Sequence, residues 1–280
     1  MKILSKKSIL FIAILATTAF CTWCCKTVTN IVDSAVPLST DAAMGLQTSQ
    51  EISANPTQYP LLAEQGNEQI YGYVRGVANN ILNSGAVEHK KDFPWQIKII
   101  NDPKTLNAFC TPGGYIYVYS GLIKYLDSED QLAGVMAHEM GHADRRHSTN
   151  QMIETYGLQL VLSVAGSAIA SKQSNQTTQQ AVLTGAQVLG ALGSLRFSRA
   201  HETEADNQSV KYLCNTPYNA AGAAGFFEKL GNAGSPPEFL STHPSPANRV
   251  VNIHAQATAA ACSGGAKYND QYTRMKRLLR

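Results

Sequence analysis

Residues 135–147 read VMAHEMGHADRRH and constrain the fold more than any other stretch. His138, Glu139 and His142 stand in the order H-E-x-x-H, directly after the apolar LAGVMA. In a helix, positions i and i+4 share a face and lie about 6 Å apart along the axis. Both imidazoles can therefore point a ring nitrogen at one ion, with the Glu139 carboxylate beside it. Ser128 and Gln131 form an S-x-x-Q capping pattern, which predicts a helix over residues 128–146. The bland alternative is a pair of polar residues on a solvated helix face, but histidines that follow an apolar run well inside a helix fit it poorly.

The chemistry of such a site is specific. Zinc lowers the pKa of water it binds to about 7. Glu139 can take that proton and return it to a leaving amine. A structural zinc has no use for Glu139 and closes with four ligands, whereas a catalytic one takes three and keeps a position open. The third ligand must come from elsewhere in the chain. Ser148, six residues after His142, rules out the spacing that would place a histidine there. His147 points away from the His138/His142 face, which makes it a surface residue or an outer partner of a ligand, and Glu154, if the helix continues, lies about 18 Å off. FSRAHETEAD, residues 197–206, is better: Glu202 and Asp206 share a helical face, with Glu204 roughly opposite. Glu202 can supply the third ligand, and Asp206 can hold a ligand imidazole by its other nitrogen. His201 belongs beside the site and not in it. In THPSPANRV, residues 242–250, His243 and Arg249 flank a helix start. Near a metal they could stabilise an oxyanion.

The N-terminus, MKILSKKSILFIAILATTAF, has three lysines followed by an apolar run too short to span a membrane comfortably. Residues 1–25 read as a secretory signal. Cys21, Cys24 and Cys25 stand where a lipoprotein cysteine would, yet Phe20, Trp23 and Cys24 precede them where a small residue is wanted, so lipidation stays open. Without this segment the chain holds 20 basic and 20 acidic residues. No basic face is left to argue for nucleic acid. Export permits a disulfide. A Cys214–Cys262 bridge is one pairing of the three remaining cysteines, with Cys110 the odd one, and sequence alone does not decide it.

Residues 26–60 read as a tether with a short helix near Asp41–Ser53, and 61–260 as the main domain. Within it, helical spacing covers Leu61–Leu82, and strands are expected at Trp95–Ile100 and, after the Pro112-Gly113-Gly114 turn, at Tyr115–Tyr119. Met152–Ala170 and Ala181–Leu195 read as a helical hairpin that packs on the core or lies against a membrane surface. Further helices fall at Arg199–Leu213, at Tyr218–Leu230 and after Pro246. The tail, 261–280, is polar and expected to fray.

Taken together, NAFCTPGGYIYVYSGLI, AHEMGHADRRH, SRAHETEAD and HPSPANR, in this order and spacing, resemble family forty-eight of the metallopeptidases, the HtpX-like and CAAX-protease-like zinc peptidases. The resemblance covers about 59–254. It implies an α+β, mostly helical gluzincin fold with a small sheet whose edge strand lies by the active-site helix. It implies one Zn2+ held by His138, His142 and Glu202, and Glu139 as the base. It implies that the Gly113-Gly114 turn leads into an edge strand, with Tyr115, Ile116 and Tyr117 binding an extended peptide by strand addition. In exported members a histidine at the position of His243 can cover the zinc. The chain departs from members with several membrane spans, which puts prenyl-protein substrates in doubt. The reading is a zinc endopeptidase, in the periplasm or on its membrane face, for unfolded or misassembled envelope proteins. The alternative is a zinc-containing, chaperone-like binding module whose hydrolysis is gated or absent.

Overall fold

The structure, a computed structural model, describes residues 36–158, 161–162, 185–194, 196–231, 238–245, 248–262, 264–265 and 269–279. The expected signal segment, most of the expected hairpin and its SKQSNQTTQQ loop lie outside the described residues. The chain divides into two units, Met1–Pro37 and Leu38–Arg280, and the site lies in the second.

The H-E-x-x-H segment is a helix, α4 (Glu129–Asp144). It starts as its cap pattern predicts: Ser128 Oγ accepts from the Gln131 N–H at 3.2 Å, and Gln131 Oε1 accepts from the Asp127 N–H at 2.8 Å. Fourteen of its residues are buried, so it runs through the core rather than over it. A helix apolar on most sides has to be covered on most sides. Here α7 (Arg199–Leu213) and α8 (Gly222–Gly231) pack along it, with α2 (Glu68–Leu82) and the sheet on its remaining flanks. At Gly134 the contact with α8 is backbone to backbone: an added Cβ would lie 2.1 Å from the Ala223 nitrogen.

The sheet has three strands, β1 (Gln96–Ile100), β2 (Ala108–Thr111) and β3 (Tyr115–Tyr119), in the order β1-β3-β2. β1 runs parallel to β3 and β2 antiparallel to it. β3 is therefore the central strand, and the expectation that Tyr115, Ile116 and Tyr117 offer a free edge is overturned. Five consecutive buried apolar residues, YIYVY, suit a strand covered on both faces and both sides better than an edge. The edge strand packed on α4 is β2, whose four residues, AFCT, are too few to show a period of two. Gly113 and Gly114 make the hairpin turn with φ of +75° and +79°. A Cβ on Gly113 would lie 2.8 Å from the Asp41 carbonyl oxygen, so this turn packs on the N-terminal helix.

That helix, α1 (Leu38–Ala54), is present where a short helix was expected, but it belongs to the folded unit and not to a tether. Its Asp41 is fully buried and accepts from Arg146 Nη2 at 2.6 Å and from Thr149 Oγ1 at 2.6 Å. These contacts lie at a break in the chain. α4 ends at Asp144, Arg146 adopts φ +55°, and α5 (His147–Tyr156) begins five residues before the expected Met152. Connecting elements are α3 (Ser120–Tyr125), α6 (Gly185–Ser194) and the short α9 (Phe239–Thr242). α10 (Arg249–Ala259) follows HPSPANR, and the Cys214–Cys262 disulfide joins its far end to the end of α7. The tail does not fray: α11 (Asn269–Lys276) buries Tyr272, whose hydroxyl donates to the Ile123 carbonyl at 2.6 Å. Tyr272, Met275 and Leu279 form one apolar stripe within a polar stretch, which composition alone conceals. Among the described residues, no helix is long and apolar enough to cross a membrane.

Candidate metal centre

α4 and α7 cross so that His138, His142 and Glu202 face one point, and His243, just past α9, closes the fourth side. One donor atom from each of the four lies within 4.8 Å of the others, and all four side chains are buried. His138 Nε2 and His142 Nε2 are 3.1 Å apart. The Glu202 oxygens lie 3.4 Å from His138 Nε2 and 3.3 Å from His142 Nε2. Zinc bonded at 2.0–2.1 Å sets its tetrahedral donors about 3.3 Å apart, so these three residues fit that ion.

The outer faces of the imidazoles are already committed. Asp206 Oδ1 stands 3.0 Å from His138 Nδ1, as expected. His147 Nδ1 stands 2.9 Å from His142 Nδ1, the second of the two places open to it from sequence. On a continuous helix His147 would point away; the break at Arg146 turns it back over the end of α4. Ser148, Thr149 and Asn150, residues that favour helix starts over helix interiors, were the available signal. His201 lies beside the site as expected, with its ring stacked on His147 at 4.4 Å. Phe197, given no role from sequence, stacks on His142 at 3.9 Å.

Arg249 is buried with its guanidinium 3.7 Å from the centre of the Phe227 ring. Its Nη2 donates to Glu202 at 3.0 Å and to Asp206 at 2.8 Å, tying the ligand to its neighbour one turn on. His243 Nδ1 is 3.0 Å from Glu202 Oε1, and its Nε2 is 3.5 Å from Glu139 Oε1. Neither oxygen of Glu139, nor His243 Nε2, makes a hydrogen bond among the described residues, although all three atoms are buried. Unpaired groups of this kind are costly unless something binds there. Burial pushes the Glu139 carboxyl up to about 7, against the pull of His243. Burial also drives His142 well below its ordinary value. Glu202 goes the other way: burial alone would raise it, but His243, His142 and His138 hold it far below the carboxylate range.

Gly113, Gly114, Tyr115, Ile116 and Tyr117 are not brought to this point by an open strand edge. Cys110 on β2 is near: burial first, then the Glu139 charge, raises its thiol well above the ordinary value.

Two histidines and a glutamate from two packed helices, with a second buried glutamate beside them, are placed to hold a metal ion. The chain belongs to peptidase family M48, whose pattern matches residues 68–257. It is 32% identical over 186 residues to the beta-barrel assembly-enhancing protease of Escherichia coli (strain K12), covering 64% of this chain and 38% of that one. It is 32% identical over 185 residues to the mitochondrial metalloendopeptidase OMA1 of Schizosaccharomyces pombe, covering 65% and 51%. The OMA1 of Saccharomyces cerevisiae is 28% identical over 221 residues, covering 74% and 58%. The chain thus spans between 38% and 58% of the length of these relatives.

Proposed function

We propose that this metallopeptidase is an endopeptidase for unfolded or misassembled proteins of the cell envelope. The observation that carries the reading is the buried carboxylate of Glu139, without a hydrogen bond among the described residues, beside His138, His142 and Glu202. Those three residues would hold a zinc ion, which when bound would supply a Lewis acid for the peptide carbonyl and for water. Glu139 accepts the proton of the attacking water and delivers it to the departing amide nitrogen. Asp206 and Arg249 keep His138 and Glu202 oriented. An extended peptide adds to the outer side of β2, beside Cys110 and Glu139, through main-chain hydrogen bonds. Such pairing reads little sequence, so selection falls on whether a segment is unfolded.

The envelope assignment rests on the signal-like N-terminus and on the name of the Escherichia coli relative. It includes export to the periplasm and a face turned to the membrane. One observation favours a second reading, a binding module with gated hydrolysis: His243 fills the side a catalytic ion keeps open.

The test uses the wild-type chain and Glu139→Gln, with bound zinc measured and casein as the unfolded substrate. The expected result is about one zinc in each and cleavage by the wild type alone. Zinc in both with cleavage by neither supports the gated reading. Zinc in neither overturns the metal centre.

A further inference from the structure

His147 is the feature of the site that the reaction above does not use. It is buried, it comes from α5 rather than α4 or α7, and it stands on the far side of a metal ligand. If His142 gives its Nε2 lone pair to the ion, its proton sits on Nδ1 and needs an acceptor. The acceptor in place is His147 Nδ1, at 2.9 Å. For that nitrogen to accept, the His147 proton must sit on Nε2, where Glu204 Oε2 lies 3.4 Å away. Arg145 Nε, at 2.8 Å from Glu204 Oε1, fixes the carboxylate. Both rings are also held in plane, His142 by Phe197 and His147 by His201.

We propose that His147 and Glu204 are positioning residues that set the tautomer and orientation of His142, in a chain His142–His147–Glu204–Arg145. The two histidine ligands are then backed differently. His138 leans directly on a buried carboxylate, Asp206. His142 leans on a neutral imidazole and reaches a carboxylate only through it. Glu204, which reads from sequence as the face opposite the site, is tied to the metal by the turn at Arg146. The inference rests on the metal-centre reading.

The test measures zinc affinity, by competition with a chromophoric chelator, and the visible spectrum of the Co2+-substituted protein, using the full chain. His147→Phe keeps a ring but removes the acceptor. It is expected to weaken zinc binding about 10–100-fold, the usual cost of losing an outer partner of a ligand, and to alter the cobalt bands. His147→Asn, whose side-chain carbonyl can accept at the Nδ1 position, should recover much of the loss, and Glu204→Gln should show a smaller one. A folded His147→Phe with wild-type affinity and spectrum overturns the proposal. So does a His147→Asn no better than Phe, since returning an acceptor at the Nδ1 position would then restore nothing. If His147→Phe does not fold, Glu204→Gln decides, and wild-type affinity and bands there count against the chain. A wild type that binds no zinc overturns the metal centre itself, whereas variants that bind like wild type overturn only this relay.

Discussion

Asp41 and Arg146, 105 residues apart in sequence, meet as a buried ion pair at 2.6 Å. Arg146 is the left-handed residue at which α4 ends and α5 begins. Its guanidinium is thus anchored by a helix that precedes the matched family region. Breaking a buried pair by removing one partner costs about 3–5 kcal/mol, because the other charge is left uncompensated. Asp41→Ala should lose that much in urea unfolding and should weaken zinc binding as His147 shifts. A loss under about 1 kcal/mol, the range of an exposed pair, would mean that α1 contributes little to this turn.

At Gly134 the active-site helix meets α8 backbone to backbone. A methyl group there meets the Ala223 nitrogen and the Gly222 carbonyl carbon at 2.1 and 2.4 Å, and backbone cannot rotate aside. Gly134→Ala should destabilise by at least about 1–3 kcal/mol, the usual cost of overpacking. Gly141→Ala, whose added methyl would meet α7 at 3.2 Å, should cost less. Equal thermal shifts for the two would contradict this ordering.

His243 is the residue whose removal separates two roles. If it covers the metal at rest, His243→Ala raises the rate of casein cleavage while zinc stays bound by His138, His142 and Glu202. If it stabilises the oxyanion, the rate falls, typically by about 10²–10³ for one lost donor.

The Cys214–Cys262 bridge closes a loop spanning 48 positions that contains α8, α9 and α10. Replacing both cysteines by serine should cost about 2–5 kcal/mol. A reducing agent should lower the melting temperature of the wild type and leave that of the variant unchanged. Equal responses would show that the bridge does not hold the fold.

Glu64 links the start of α2 to β1 by bonds to Arg75 and Lys98. The Arg75 hydrogen bond, first among the causes, holds its carboxyl at about 2 instead of 4.5. A depressed carboxyl contributes stability above its unfolded value and loses it as pH falls through its folded one. The gap in unfolding free energy between wild type and Glu64→Gln should therefore be complete above about pH 4.5 and close toward pH 2. For so exposed a pair it should stay under about 1 kcal/mol. A gap that widens as the pH falls would reverse the assignment.

Much of the metal centre could be read from the chain because its parts are local. His138, Glu139 and His142 lie within one helical turn and a half, and Glu202 and Asp206 within another, so helical periodicity alone puts each set on a face. The helix start at Ser128 and the whole of α7 were legible for the same reason. Periodicity carries no information about what happens where a helix stops. The turn at Arg146 reverses the direction in which His147 points, and the Arg146 side chain pairs with Asp41, a residue no local rule connects to it. Nor does an apolar run such as YIYVY say how many neighbours its strand has: the pairing with β1 and β2 that makes β3 central is a choice among distant segments. The sequence by itself determined the family, through four motifs in fixed order, and which residues share a helix face, because the latter is a property of spacing along one element. Only the tertiary structure decided which strand is the edge, what backs each imidazole and that α1 and the tail belong to the core. Those outcomes depend on contacts between elements, where packing and buried charge, not local propensity, set the lower free energy.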